Sequence, residues 1–413
     1  MQGPRIALIL RSFPKLSEVF IVNVFLGLLE RGADVHVVCA ESNPEEWRWY
    51  EGLAQRPDAR ARVHVARERR RELDVLRSPL ILLRCIAVRP GTSLAYLRRG
   101  ARRYGIRLLR KLSADEALIR LRPDIVHFEF GTLAPKRIYL GESLGCRTLV
   151  SFRGYDINYA GLDNPDYYNE VWSHADAVHC NGIDLWRRCL ARGCPPDMPH
   201  AEISPALGPA HFADESESDP LKGSSETLRL ISVGRLEWKK GFEFALQAVK
   251  LLKDQGLPVT YEIVGAGSYR EALEVCRSQL GLETCVQLTG ALPPREVRER
   301  LLCADVFLHP AVSEGFPNVV LEAQAAGLPV VGTNADGLAE DIEPGVTGLQ
   351  VRSRDPEAMA AAVLELARDP VLRRQMGEAG RKRVQMRFRL EDQVSAFLAL
   401  YQDLFAAAAR RAR

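Results

Sequence analysis

Short, continuously apolar runs alternate along this chain with stretches whose apolar residues recur every three to four positions. The runs Arg5–Leu10, Asp34–Cys39, Ile125–Phe128 and Thr148–Phe152 predict strands, and Glu18–Arg31 predicts a helix between the first two. The pattern resumes later. Strands are expected over Leu228–Val233, Thr260–Val264, Val286–Thr289, Val306–His309 and Val330–Gly332, with helices over Phe242–Gln255, Glu271–Leu280 and Arg295–Cys303. Strands that are apolar throughout, rather than at every second residue, belong to parallel sheets covered on both faces. Such doubly wound sheets bind ligands at the carboxyl ends of their strands, so functional loops are expected directly after strands.

Periodicity lapses between Ile203 and Thr227, where Pro, Gly, Ser and acidic residues gather. The lapse divides the chain into a first domain (1–205), a linker (206–226), a second domain (227–385) and a terminal segment (386–413). Within that last segment, apolar residues over Val394–Phe405 fall at helical spacing. The fold class is α/β, with two Rossmann-like, doubly wound domains.

Composition adds constraints. The 413 residues are 46% hydrophobic and 26% charged, as in a water-soluble chain with room for two cores. A net charge of +3 makes no general demand for nucleic acid. The nine cysteines contain no Cys-x2-Cys pair, so free thiols in a reducing cytosol are expected and a zinc site is not. The first residues run straight into a strand without the cleavage region of a secretion signal, and no apolar run is long enough to span a bilayer. Residues 56–111 stand apart, with 17 Arg or Lys against 4 Asp or Glu and apolar residues interleaved. Amphipathic helices with a basic face would suit an anionic membrane surface, or else a solvated face.

The chemistry concentrates in Ser313-Glu-Gly-Phe-Pro-Asn-Val-Val-Leu-Glu322. Pro317 suits a helix start, and Gly327 and Pro329 close the helix, predicted over Asn318–Ala326. A helix start attracts phosphate. Glu314 lies just before it and Glu322 about one turn inside. A diphosphate there, with a hydroxylated ring on either side, would offer donors to both carboxylates, as a nucleotide-sugar does. Arg235 and Lys240 project from the loop that follows the strand Leu228–Val233, and two cations there can hold a diphosphate. Gly265 and Gly267 form another strand-to-helix turn, and Leu292 follows the next strand.

Glu314-x7-Glu322 after a strand, with Gly-Arg235-x4-Lys240-Gly about 80 residues earlier, resembles the signature of the retaining glycosyltransferases of family GT4. The resemblance implies the GT-B fold, two Rossmann-like domains facing across a cleft, with the last helix packed back on the first domain. It implies that Glu314 contacts the donor sugar, Glu322 the ribose, and Arg235 with Lys240 the diphosphate. Gly315, Phe316, Asn318, Val319, Gly265, Gly267 and Leu292 are the further donor-binding candidates. No Asp-x-Asp pair occurs, so neither a bridging metal nor a cofactor is expected.

Ser12–Glu18, His127–Gly131 and Ser151–Asp156 resemble a narrower subgroup, the exopolysaccharide glycosyltransferases of the colanic acid and amylovoran type. The subgroup implies a UDP-hexose donor and a lipid-linked saccharide acceptor at the cytoplasmic membrane face. Arg153, Asp156, His127 and Ser17 are its acceptor or cleft candidates. Arg153 stands where GT4 proteins usually carry a histidine that reaches the donor sugar. Asp156 also reads as a helix cap, and His127 as a core histidine. Two other readings accompany this one: a nucleotide-sugar epimerase of the same fold, and an inactive nucleotide-sugar-binding module.

Overall fold

The computed structural model describes residues 3–15, 18–66, 71–212 and 226–411. They form two compact units, Met1–Ile203 together with Glu391–Arg413, and Ser204–Leu390. Most of the linker expected at 206–226 lies outside the described residues.

The first unit is built on seven parallel strands: β1 (Arg5–Ser12), β2 (Asp34–Glu41), β3 (Val63–Val65), β4 (Ile125–Phe128), β5 (Arg147–Phe152), β6 (Ala177–Cys180) and β7 (His200–Glu202). Their order across the sheet is β3-β2-β1-β4-β5-β6-β7. The second unit has six, in the order β10-β9-β8-β11-β12-β13. These are β8 (Leu228–Val233), β9 (Val259–Val264), β10 (Val286–Gly290), β11 (Val306–His309), β12 (Val330–Thr333) and β13 (Gly348–Val351). Every pairing in both sheets is parallel. Parallel neighbours need crossovers, and the helices that make them cover both faces. β4, β6, β11 and β12 are accordingly buried along their whole length.

Chain order reverses between β1 and β4 in one sheet and between β8 and β11 in the other. The strand-end loops on either side of such a reversal splay apart, which is why ligands sit there in doubly wound sheets. In the second unit those loops are Gly234–Gly241 and Pro310–Pro317, the two stretches already singled out for their charge. The ion pair of Arg229 with the buried Asp305 locks β8 to the start of β11 at the opposite end (3.1 Å).

The helix Leu390–Arg411 returns to the first unit. A directional chain of hydrogen bonds docks it. Nε2 of His179 faces the carbonyl of Ile203 at 2.9 Å, an acceptor only, so Nε2 carries the proton. Bare Nδ1 of His179 then accepts from the Ser151 hydroxyl (2.6 Å). Ser151 Oγ accepts from Nε2–H of His127 (2.7 Å), which leaves Nδ1 of His127 to accept from Tyr401 (2.8 Å). Both rings are neutral, because burial and then nearby Arg153 press their pKa values down to about 3.

Candidate active site

Two turns of backbone build the site before any side chain enters. The amide of Val312 donates to the Lys239 carbonyl (2.8 Å), and that of Glu314 donates to Asp336 (3.2 Å). The loops after β8, β11 and β12 are thereby tied into one surface at the strand ends. Gly241 and Gly337 permit the close approach. Both have positive φ, and a Cβ on either would lie 2.2 Å or less from the carbonyl oxygen of Pro310 or of Gly315.

On this surface Lys240 forms an ion pair with Glu314 across 74 residues of sequence. Both side chains are about nine-tenths buried, 13% and 11% exposed. His309, the last residue of β11, places Nε2 3.0 Å from the same carboxylate oxygen. A carboxylate only accepts, so His309 donates through Nε2–H. Burial acts to raise the Glu314 pKa, but the Lys240 charge and the His309 bond prevail and hold the group ionised, well below the usual carboxylate range. Burial lowers the pKa of His309, against the pull of Glu314, so its ring stays neutral. Such a buried pair is costly to break, because removing one partner leaves the other charge uncompensated.

Glu322 lies in the helix Asn318–Ala325, which starts beside this pair. The carboxylate is half-buried and takes no hydrogen bond among the described residues, and burial pushes its pKa up to about 7. The helix is capped at Pro317, and its first residue, Asn318, matches the expected start.

The other candidates are placed unevenly. Arg235 shares the loop of Lys240, but its side chain is 57% exposed and its guanidinium bonds Glu237 at 2.8 Å. Lys239 also reaches Glu237, at 3.1 Å. Gly315 underlies Gly337, as described. Val319 and Leu292 are half-buried against one apolar cluster. Phe316 turns its ring into a small core with Phe388, Leu207 and Leu321, where it supports the helix. Gly265 and Gly267 are required by the neighbouring loop: a Cβ would meet the Gly234 carbonyl oxygen at 1.9 Å and that of Leu236 at 2.3 Å. Close packing of two loops by itself requires glycine at both positions.

In the first unit the expectations at two residues are corrected. His127 is wholly buried with both ring nitrogens bonded, so it is a core residue that no ligand reaches. Asp156 is also buried, and its two oxygens accept from the amides of Thr132 (2.9 Å) and Arg153 (3.0 Å). It clamps two turns, and burial raises its pKa despite those bonds. Ser17 lies outside the described residues. Arg153 remains part-exposed at the strand ends. It donates to the Glu129 carboxylate (2.9 Å), the Glu129 carbonyl (3.0 Å) and Asn181 (3.2 Å), over the ring of Phe20. Three of its five N–H donors are therefore used by these partners.

Sequence reading missed His309, Glu237 and Glu129. His309 carries a legible signal, a polar residue at the carboxyl end of an apolar strand five positions before Glu314. The others are surface-type acids in sequence and acquire roles only through their neighbours.

Residues 214–383 match the family model described as Glycosyl transferases group 1. The WcaL protein of Escherichia coli (strain K12), named for colanic acid biosynthesis, is 30% identical over 400 residues, covering 90% of this chain and 94% of that one. The amylovoran biosynthesis glycosyltransferase AmsK of Erwinia amylovora is 28% identical over 373 residues, covering 86% and 89%. Among solved structures, Anabaena Alr3699/HepE in complex with UDP-glucose superposes with a TM-score of 0.73 at 15% identity, covering 96% of this chain and 99% of that one. That likeness shows the fold, GT-B, with its pair of parallel-sheet units. A relative 30% identical along nearly its whole length, together with the matched domain in the second unit, places the chain in the group 1 glycosyltransferase family, and it is a transferase.

Proposed function

We propose that the chain transfers a hexose, with retention, from a nucleoside diphosphate sugar to a lipid-linked saccharide in exopolysaccharide or cell-surface glycan synthesis. The observation that carries this reading is the Lys240–Glu314–His309 cluster at the strand reversal of the second unit, with the carboxylate of Glu322, unbonded among the described residues, on the next helix. Lys240 and Arg235 take the diphosphate, joined by the amides at the start of the helix Asn318–Ala325. Glu314 orients hydroxyls of the sugar. Glu322 accepts from the ribose hydroxyls. UDP is the favoured nucleotide, supported by a structural neighbour solved with UDP-glucose. Relatives named for colanic acid and amylovoran synthesis support the polymer class.

The anomeric carbon–oxygen bond to the diphosphate breaks while the acceptor oxygen bonds to the same face of that carbon. The acceptor's proton passes to the leaving phosphate oxygen. Charge growing on the diphosphate is met by Lys240, held in place by Glu314, and by Arg235, which exchanges its contact with Glu237 for the phosphate. The scheme uses no cofactor and assigns the diphosphate charge to these cations rather than to a metal. Acceptor contacts belong to the first unit, with Arg153 as their leading candidate. Action in the cytoplasm is supported by nine free thiols.

A thermal-shift panel of UDP, GDP and their hexose conjugates tests the donor, and mass spectrometry of the conjugate after incubation tests the chemistry. Hydrolysis or transfer is expected. Interconversion of the sugar would mean an epimerase, and binding without turnover an inactive module.

A further inference from the structure

We propose that the outer surface of the helices Arg71–Val88 and Pro90–Tyr104 and of the turn Gly105–Arg107 that follows them docks the chain on a bilayer rich in anionic lipid. The first of three observations is the distribution of exposed apolar side chains. Sixteen large hydrophobic residues are exposed among the described residues, and six lie between positions 80 and 106. Leu83, Leu94 and Ile106 are 63%, 67% and 83% exposed, and Ile106 is the most exposed of all sixteen. The fold does not need them. The inner faces of these helices already bury Ile81 and Cys85 in one case and Ser93, Tyr96 and Gly100 in the other.

The second observation is charge. Residues 75–114 contain ten Arg or Lys and no Asp or Glu. Arg103 and Lys111 turn inward, Arg103 to Glu170 at 3.0 Å and Lys111 over the rings of Tyr104 and Tyr139. Arg84, Arg89, Arg98, Arg102 and Arg107 are exposed and, among the described residues, form no ion pair. The third is that no helix among the described residues is long and apolar enough to cross a membrane. Contact of these helices with lipid is therefore made from the surface.

Exposed aliphatic side chains among unpaired arginines fit an interface whose outer layer is anionic and whose inner layer is apolar. The arginines meet headgroups while the leucines and the isoleucine enter the acyl boundary. Nucleic acid would use the cations but leave the aliphatic residues in water. A protein partner would favour aromatic residues at the centre of the patch, and the exposed apolar residues here are aliphatic. The surface stands on its own geometry. It deepens the proposed function by bringing the enzyme to the plane where a lipid-linked acceptor lies.

Flotation of the full chain with vesicles tests the proposal, using phosphatidylcholine alone or mixed with phosphatidylglycerol. Binding is expected only with the anionic lipid and should weaken with salt. The triple variant R84Q/R98Q/R102Q should lose roughly a hundredfold in partition, since each arginine contributes about a factor of five. The variant L83S/L94S/I106S should lose binding while keeping the wild-type melting temperature. Ile106→Ser alone should show a smaller loss, and Leu162→Ser, an exposed leucine elsewhere in this unit, none. Donor hydrolysis should stay unchanged in all of them, so failure here and failure of the transferase reading are distinguishable. Wild-type chain that ignores anionic vesicles, variants that bind as wild type, or displacement of the vesicles by polyuridylate would each overturn the proposal.

Discussion

The strand ends of the two units collect polar side chains in opposite ways. In the first unit, nearly every buried polar atom named above is spent on another part of the protein. Asp156 uses both oxygens as caps, the His127–Ser151–His179 chain runs unbroken from Tyr401 to Ile203, and Arg153 is neutralised by Glu129. The second unit keeps a half-buried carboxylate, Glu322, that takes no hydrogen bond among the described residues, in the helix that follows the loop of a buried ion pair. A satisfied network rigidifies, whereas a desolvated group held without a partner is ready for one brought by a ligand. Position at a strand end thus marks where a site can be, and hydrogen-bond bookkeeping separates scaffold from site.

The largest expected effect tests the second unit. Glu314→Gln keeps the shape but removes the charge facing Lys240, and transfer should fall by about a hundredfold to a thousandfold, the usual effect of losing one fixed electrostatic contact. Steady-state rates, with circular dichroism to confirm folding, check this. The comparison breaks if Glu129→Gln in the first unit matches that loss in donor hydrolysis.

Next is the pH response of Glu322. Its folded pKa of about 7 lies above the unfolded value of 4.5, so its contribution to stability is complete below 4.5 and is lost as pH rises through 7. The loss is at most about 3.5 kcal/mol, allowing about 1.4 kcal/mol per pKa unit, and smaller because the carboxylate is only half-buried. Glu322→Gln should flatten denaturant-derived stability across that window. Ribose hydroxyls donating to the ionised carboxylate would also make UDP bind more tightly above pH 7 than below it, which calorimetry at two pH values reads directly.

Smaller effects belong to the first unit. Ser151→Ala leaves Nε2–H of His127 without an acceptor and Nδ1 of His179 without a donor, and should cost about 2 kcal/mol of stability. Tyr401→Phe removes only the end of the chain and should cost about 1 kcal/mol. Thermal unfolding measures both, and donor hydrolysis at a temperature where both are folded should match wild type. A catalytic defect in either would mean that the network does more than dock the last helix.

Much of the fold was legible in the sequence, and the misses have physical causes. β8 and β11 fall at the expected residues, since long apolar runs end at glycine or at a polar strand end. β3 and β7 are three-residue edge strands, too short for periodicity to register. The motif residues of the second unit were legible because they cluster within two loops. Phe316, Gly265 and Gly267 stand in the motif as donor-binding candidates, and the structure adds a second duty to each. Their surroundings show packing roles that no spacing along the chain reveals.

The chain by itself determined what is local: strand or helix from apolar period, loop boundaries from glycine and proline, and the two acids eight positions apart. Those features follow from backbone preferences and side-chain burial over a few residues. Tertiary structure alone decided the pairings. Lys240 meets Glu314 because β8 lies next to β11, and His127 meets Tyr401 across 274 positions because the last helix returns to the first unit. Strand order and burial set whether a charge finds a partner, and neither is written in the spacing of residues along the chain.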